Sequence, residues 1–184
     1  MMKLPKINIL DEKNKKLRIK SEDVKFPLSD EDKNLIDDVI TYLKMSQIKE
    51  YYEKYDLRPG MGLAFIQLGI PKNIFVIVEE VDEEEFESYV IINPKIVSHS
   101  EELIYVGEGE GCLSVNREVE GIVPRYARMK VAYQDINGDD YEIRVREDIS
   151  IAFQHEMDHL NGILFVDKID KQNPYKNKDK MREI

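Results

Sequence analysis

The sequence predicts an α+β fold, with antiparallel or mixed β-sheets packed around a central helix that carries His155-Glu156-Met157-Asp158-His159, and a further helix towards the N-terminus. Three observations predict it. Two stretches place apolar residues at helical spacing, four short runs between them are β-branched or alternate in period two, and turn residues separate those runs. Strands gathered around one buried helix define the α+β class.

The N-terminal helix begins at Ser29-Asp30-Glu31-Asp32, a capping signal, and its pattern runs to about Tyr52. Leu35, Ile36, Val39, Ile40, Leu43 and Ile48 give it one apolar face for the core. Arg58-Pro59-Gly60-Met61-Gly62 ends the helical region with two glycines. Ile74–Val78 and Tyr89–Ile92 then read as strands on either side of the acidic loop Asp82 to Glu85. Met129–Tyr133 and Tyr141–Val145 flank Asn137-Gly138, a strong hairpin signal. The central helix starts near Asp148 and stops at Gly162, placed as a C-cap.

The chain has 184 residues, 42% of them apolar, which is enough for one sizeable core. With no repeats and no low-complexity linker, 1–184 reads as a single catalytic domain, about 170–184 being a flexible tail. Residues 167–184 carry six Lys or Arg and four Asp or Glu, net +2, against −12 for the rest. A solvated end is the expectation there, with a transient ribosome contact as the alternative. The net charge of −10 argues against general nucleic-acid binding, so DNA is not an expected partner. No secretory leader and no run of about 18 apolar residues is seen, so no membrane association is expected. One cysteine, Cys112, cannot form an internal disulfide, and a cytoplasmic location is the expectation.

Residues 155–159 read H-E-x-x-H within the helical stretch. Positions four apart share a helix face, so His155 and His159 can hold one metal ion, and Glu156 stands beside the first of them. The chemistry needs a metal to bring the pKa of water down to about 7 and a nearby base to take the proton. Catalytic sites of this kind commonly use three protein ligands. Only 25 residues follow His159, and they hold no histidine and a single glutamate, Glu183. Upstream, Cys112 in Glu110-Gly111-Cys112-Leu113-Ser114 is the remaining candidate. On its own a lone cysteine is more often a small buried apolar residue. His99, in Val97-Ser98-His99-Ser100, is the spare histidine. Three functions fit these residues: a metallohydrolase, a metalloprotease using the same motif with a downstream ligand, or a structural metal site.

Three segments together resemble the motif set of the peptide deformylase family: Gly60-Met61-Gly62-Leu63-Ala64-Phe65-Ile66-Gln67, then Glu110-Gly111-Cys112-Leu113-Ser114, then Gln154-His155-Glu156-Met157-Asp158-His159. The similarity spans roughly residues 5–168. The acidic stretch at Asp82–Glu87, Val115-Asn116-Arg117-Glu118-Val119 and the lack of a long C-terminal helix resemble the Gram-positive-type branch.

The resemblance implies that Cys112, His155 and His159 bind one divalent metal ion per chain. Ferrous iron is the usual ion in this family, and zinc, nickel or cobalt are accepted in its place. It implies Glu156 as acid and base, and the Gln67 amide and the Leu113 backbone N–H as donors to the oxygen of the scissile carbonyl. Gly62 would meet substrate through its backbone, while Met61, Ile151 and Ala152 are candidates to line a pocket for a methionine side chain. The implied reaction removes the N-formyl group from the initiator methionine of nascent polypeptides and releases formate. One departure stands out. Where the family has a second alanine and then proline or threonine, this chain has Phe65 and Ile66, so its neighbouring core must be built differently.

Overall fold

The computed structural model describes residues 2–184. Helix α1 (Asp30–Gln47) starts where the capping signal placed it, with the Ser29 side chain accepting the Asp32 N–H. It stops before Tyr52. Ile48 is extended (φ −89°, ψ 123°), and a separate helix α2 (Lys49–Tyr55) follows. The reason is tertiary: the Gln47 amide donates to the carbonyls of Leu43, Gly60 and Val78, tying the end of α1 to the Pro59–Gly60 turn and to the sheet.

A five-stranded antiparallel sheet runs in the order β1-β2-β3-β6-β7. Its strands are β1 (Gly62–Ala64), β2 (Ile74–Asp82), β3 (Glu85–His99), β6 (Arg128–Gln134) and β7 (Asp140–Arg146). A smaller sheet pairs β5 (Arg125–Tyr126) antiparallel and β8 (Arg182–Glu183) parallel to β4 (Leu103–Tyr105). The central helix is α3 (Glu147–Leu160).

The continuous apolar run of β2 reflects burial on both faces. Ile74, Val76 and Val78 meet Ile36, Val39 and Leu43 of α1, whereas Phe75 and Ile77 join Met129, Val131, Val145 and Phe153 on the side of α3. Each such large side chain contributes about 1.5–3 kcal/mol by leaving water. Phe75 and Phe153 meet edge to face, with centroids 5.2 Å apart.

Strand β3 is much longer than Tyr89–Ile92. It continues through Asn93-Pro94 by register shifts between Ile92 and Lys95 and between Ile96 and Ser98. A proline at such an irregularity loses no ladder bond, so the sequence signal that stops a strand does not stop this one. The acidic loop narrows to Glu83-Glu84 between the paired Asp82 and Glu85. The Asn137-Gly138 hairpin closes as a five-residue connection in which Asp135 Oδ1 accepts the N–H groups of Asn137 and Asp139. Gly162 ends α3 as expected. Its φ of 73° is left-handed, and a Cβ there would lie 2.6 Å from the Arg18 carbonyl oxygen.

The segment expected as a solvated tail is placed against the body. Residues 182–183 form β8, the Ile184 N–H donates to Tyr105 O, and Ile184 packs beside Ile104, Ala127 and Ile151. Arg182 bridges Glu102 and Glu147, long-range partners that composition alone cannot reveal. No helix of the described residues is long and apolar enough to cross a membrane.

Candidate metal centre and active site

Three parts of the chain converge on one cleft of about 360 Å³. Helix α3 supplies His155 and His159, one turn apart, and Glu156 next to the first of them. The turn Cys112–Val115, closed by the Val115 N–H on Cys112 O, supplies Cys112 and Leu113. Strand β1 and the 3-10 turn Phe65–Leu68 supply Gly62 and Gln67. Met61, Ile151 and Ala152 also line the cleft. Every site residue expected from the sequence lines it except His159, which is buried behind Cys112.

One ligand atom each of Cys112, His155 and His159 falls within 4.8 Å of the others. Cys112 Sγ lies 3.3 Å from His159 Nε2. Sulfur and nitrogen on one tetrahedral metal would be about 3.5 Å apart, given bonds of about 2.3 and 2.0 Å. The donor set therefore fits a divalent transition metal. A second observation agrees: Glu156 Oε2 is buried and has no hydrogen-bond partner among the described residues. Buried polar atoms in that state call for a missing ion or solvent molecule. His99, by contrast, sits exposed at the end of β3, stacked on Tyr126 with centroids 3.7 Å apart. Glu183 bonds to Tyr105 and Lys178, so it offers no downstream ligand.

Behind the candidate ligands lies a buried ionic network that sequence reasoning missed. Glu110 Oε2 is 3.0 Å from His155 Nδ1, which leaves the other ring nitrogen for the metal. Arg125, 2% exposed, grips both Glu110 oxygens at 2.7 and 2.9 Å and Asp158 at 2.6 Å. Burial alone would raise the Glu110 carboxyl, but the Arg125 guanidinium and the His155 ring hold it down at about 2. Burial pushes Glu156 the other way, up to about 7, against the pull of His155 and Arg125. A carboxylate poised there can take and return a proton at neutral pH. Glu110 stood inside a quoted motif, but only its contact with His155 reveals a role; Arg125 carried no signal.

Two approaches are tight. A Cβ on Gly62 would fall 2.5 Å from Glu156 Oε1, so only glycine lets β1 pass this close to the carboxylate. Gln67 is 1% exposed rather than a surface amide. Its Oε1 accepts the Ala64 N–H at 2.9 Å, and its Nε2 reaches Ser114 Oγ at 3.1 Å and Cys112 Sγ at 3.6 Å. Phe65 and Ile66 are fully buried and point away from the cleft into separate cores, Phe65 among α1 residues and Ile66 beside Phe75 and Phe153. The departure from the family pattern is absorbed by core packing.

A buried Cys/His/His cluster able to hold a metal, with a glutamate of raised pKa beside it in a cleft edged by the larger sheet, fits the class of metal-dependent hydrolases. The comparisons make it particular. The family model for polypeptide deformylase matches residues 6–175. Peptide deformylase 2 of Bacillus subtilis is 46% identical over 169 residues, covering 92% of each chain. The peptide deformylase of Latilactobacillus sakei is 47% identical over 176 residues, covering 95% of each. The crystal structure of peptide deformylase from Thermotoga maritima superposes with a TM-score of 0.70 at 31% identity, covering 89% of this chain and 97% of that one. The chain belongs to the polypeptide deformylase family.

Proposed function

We propose that this protein removes the N-formyl group from the initiator methionine of nascent polypeptides in the cytoplasm, using ferrous iron held by Cys112, His155 and His159. The observation that carries the reading is the convergence of those three ligand atoms within 4.8 Å, beside a buried glutamate with an unpartnered oxygen. A divalent ion held there supplies Lewis acidity and lowers the pKa of water to about 7. Zinc, nickel and cobalt suit the same donor set.

The chain's own groups do the rest. Glu156 takes the proton of the attacking water and returns it to the departing amine nitrogen. The Gln67 Nε2–H and the Leu113 N–H donate to the oxygen of the formyl carbonyl as negative charge develops on it. The Gln67 side chain is already oriented by Ala64 and Ser114, and the Nε2–H that faces Cys112 Sγ at 3.6 Å is the one turned to the carbonyl. The backbone at Gly62 runs beside the peptide, and Met61, Ile151 and Ala152 offer apolar surface to the methionine side chain. The net positive charge of residues 167–184 supports a transient ribosome contact, with residues 182–184 docked on β4.

Formate release from formyl-Met-Ala-Ser, with anaerobically prepared iron- or nickel-loaded protein, tests the reading. Release that depends on metal and falls about 10²–10⁴-fold in Glu156→Gln, with metal content unchanged, is the expected result. Folded protein with one metal per chain and no release would overturn it.

A further inference from the structure

Arg58 stands outside the ligand set, on the segment between α2 and β1, where it lines the cleft and its side chain bonds to the turn that carries Cys112 and Leu113. Its Nη2 donates to Cys112 O at 2.9 Å and to Val115 O at 3.1 Å, while Nη1 donates to Asn116 Oδ1. Asn116 is in turn fixed by Asp11 Oδ2 at 2.9 Å. One guanidinium thus grips both ends of a four-residue turn.

The consequence follows from peptide planarity. Cys112 C=O and Leu113 N–H belong to the same trans peptide unit, so they lie in one plane and point in opposite directions. Clamping the carbonyl from outside fixes where the N–H points. Cys112 O is held twice, by Arg58 and by the Val115 N–H at 3.1 Å, and no protein acceptor takes the Leu113 N–H among the described residues. A cationic donor on the carbonyl also polarises the peptide and makes its N–H a stronger donor. The other side of Leu113 is held by the same segment, since a Cβ on Gly60 would lie 2.6 Å from Leu113 Cδ1.

We propose that Arg58 is a positioning residue of the hydrolytic reaction, aiming the Leu113 N–H at the developing oxyanion by clamping the carbonyl of the same peptide unit. The assignment rests on the deformylase reading, in which Leu113 N–H is one of the two oxyanion donors. Donors of this type act in the transition state far more than in the ground state, so their misalignment lowers kcat and spares KM.

The test uses the full chain loaded with metal. Arg58→Met is expected to lower kcat for formyl-Met-Ala-Ser about 10–100-fold, short of the 10²–10³ for outright loss of such a donor, with KM within about twofold. Arg58→Lys keeps the cation but loses the fork, so it should lose roughly three- to tenfold. In the zinc-loaded protein, the Leu113 amide order parameter should fall from about 0.85 towards about 0.6 in Arg58→Met. An unchanged kcat, or a lower kcat with an unchanged Leu113 amide, overturns the proposal. So does full activity in Arg58→Lys, which would mean that charge alone is at work. If Arg58→Met does not fold, Arg58→Lys decides by the same two readouts. Absence of formate release from the wild type removes the deformylase reading and this role with it, whereas an active wild type with an indifferent Arg58 removes only this role.

Discussion

Two concavities of this molecule invite a ligand, and the larger is the less informative. A groove of about 710 Å³ lies against β6 and β7, lined by Ser98, His99, Arg128, Lys130, Arg144 and Arg146. The metal-centre cleft has about half that volume. In the groove, Arg128 is bonded to Glu102 at 2.7 Å, Lys130 to Glu142, and His99 is stacked on Tyr126. The Arg128 and Lys130 charges are paired, and Arg144 and Arg146 are exposed to solvent. In the cleft, polar groups are buried, held by a second layer of ion pairs, and one carboxylate oxygen has no partner. Volume measures room; burial combined with incomplete satisfaction marks chemistry.

That contrast can be broken at several points. The largest effect is expected from Gly62→Ala. Its methyl group cannot coexist with Glu156 Oε1 at 2.5 Å, so the carboxylate must shift, and kcat/KM should fall about 10²-fold while metal content holds. Unchanged kinetics would show that Glu156 has freedom to spare. Next comes Glu110→Gln, which replaces the anion between Arg125 and His155. Metal affinity should drop about 10–100-fold, read by competition with a chelator; retention equal to wild type would reduce the buried network to scaffolding.

A smaller effect concerns acid. Bonds from Arg182 and then Arg128 hold Glu102 below its ordinary 4.5, the Arg182 bond does the same for Glu147, and the Tyr105 hydroxyl for Glu183. Because the folded-state values are depressed, this contribution is whole above about pH 4.5 and is lost as pH falls through the lower folded values. Exchange protection of the Ile184 amide, which donates to Tyr105 O, should therefore weaken from pH 6 to pH 3 faster than that of α3. Equal loss in both would mean that β8 is not an independent unit. The smallest effect belongs to the groove: His99→Ala and Arg144→Ala should leave kcat/KM within about twofold, as surface changes do. A larger change would give that face a part in the reaction.

What the sequence determined by itself was whatever depends on near neighbours. H-E-x-x-H puts two imidazoles on one face because a helix repeats every 3.6 residues, whatever surrounds it. Ser29 caps α1, Gly162 ends α3, and the alternation of β6 and β7 predicts a half-buried hairpin, each through interactions spanning a few residues. Cys112 was legible because it is the sole cysteine and because its motif resembles a family's.

What only the tertiary structure decided lies in contacts between distant segments. Arg125 carries no signal in the sequence; β5 brings it to Glu110 and Asp158. The break at Ile48 depends on Gln47 meeting Gly60 and Val78, and the docking of residues 182–184 depends on the free edge of β4. The closeness of Gly62 to Glu156 depends on how β1 crosses α3. Such contacts must offset the loop-closure entropy of bringing remote residues together, and they do so through the packing of the whole core. No short stretch of sequence carries that information.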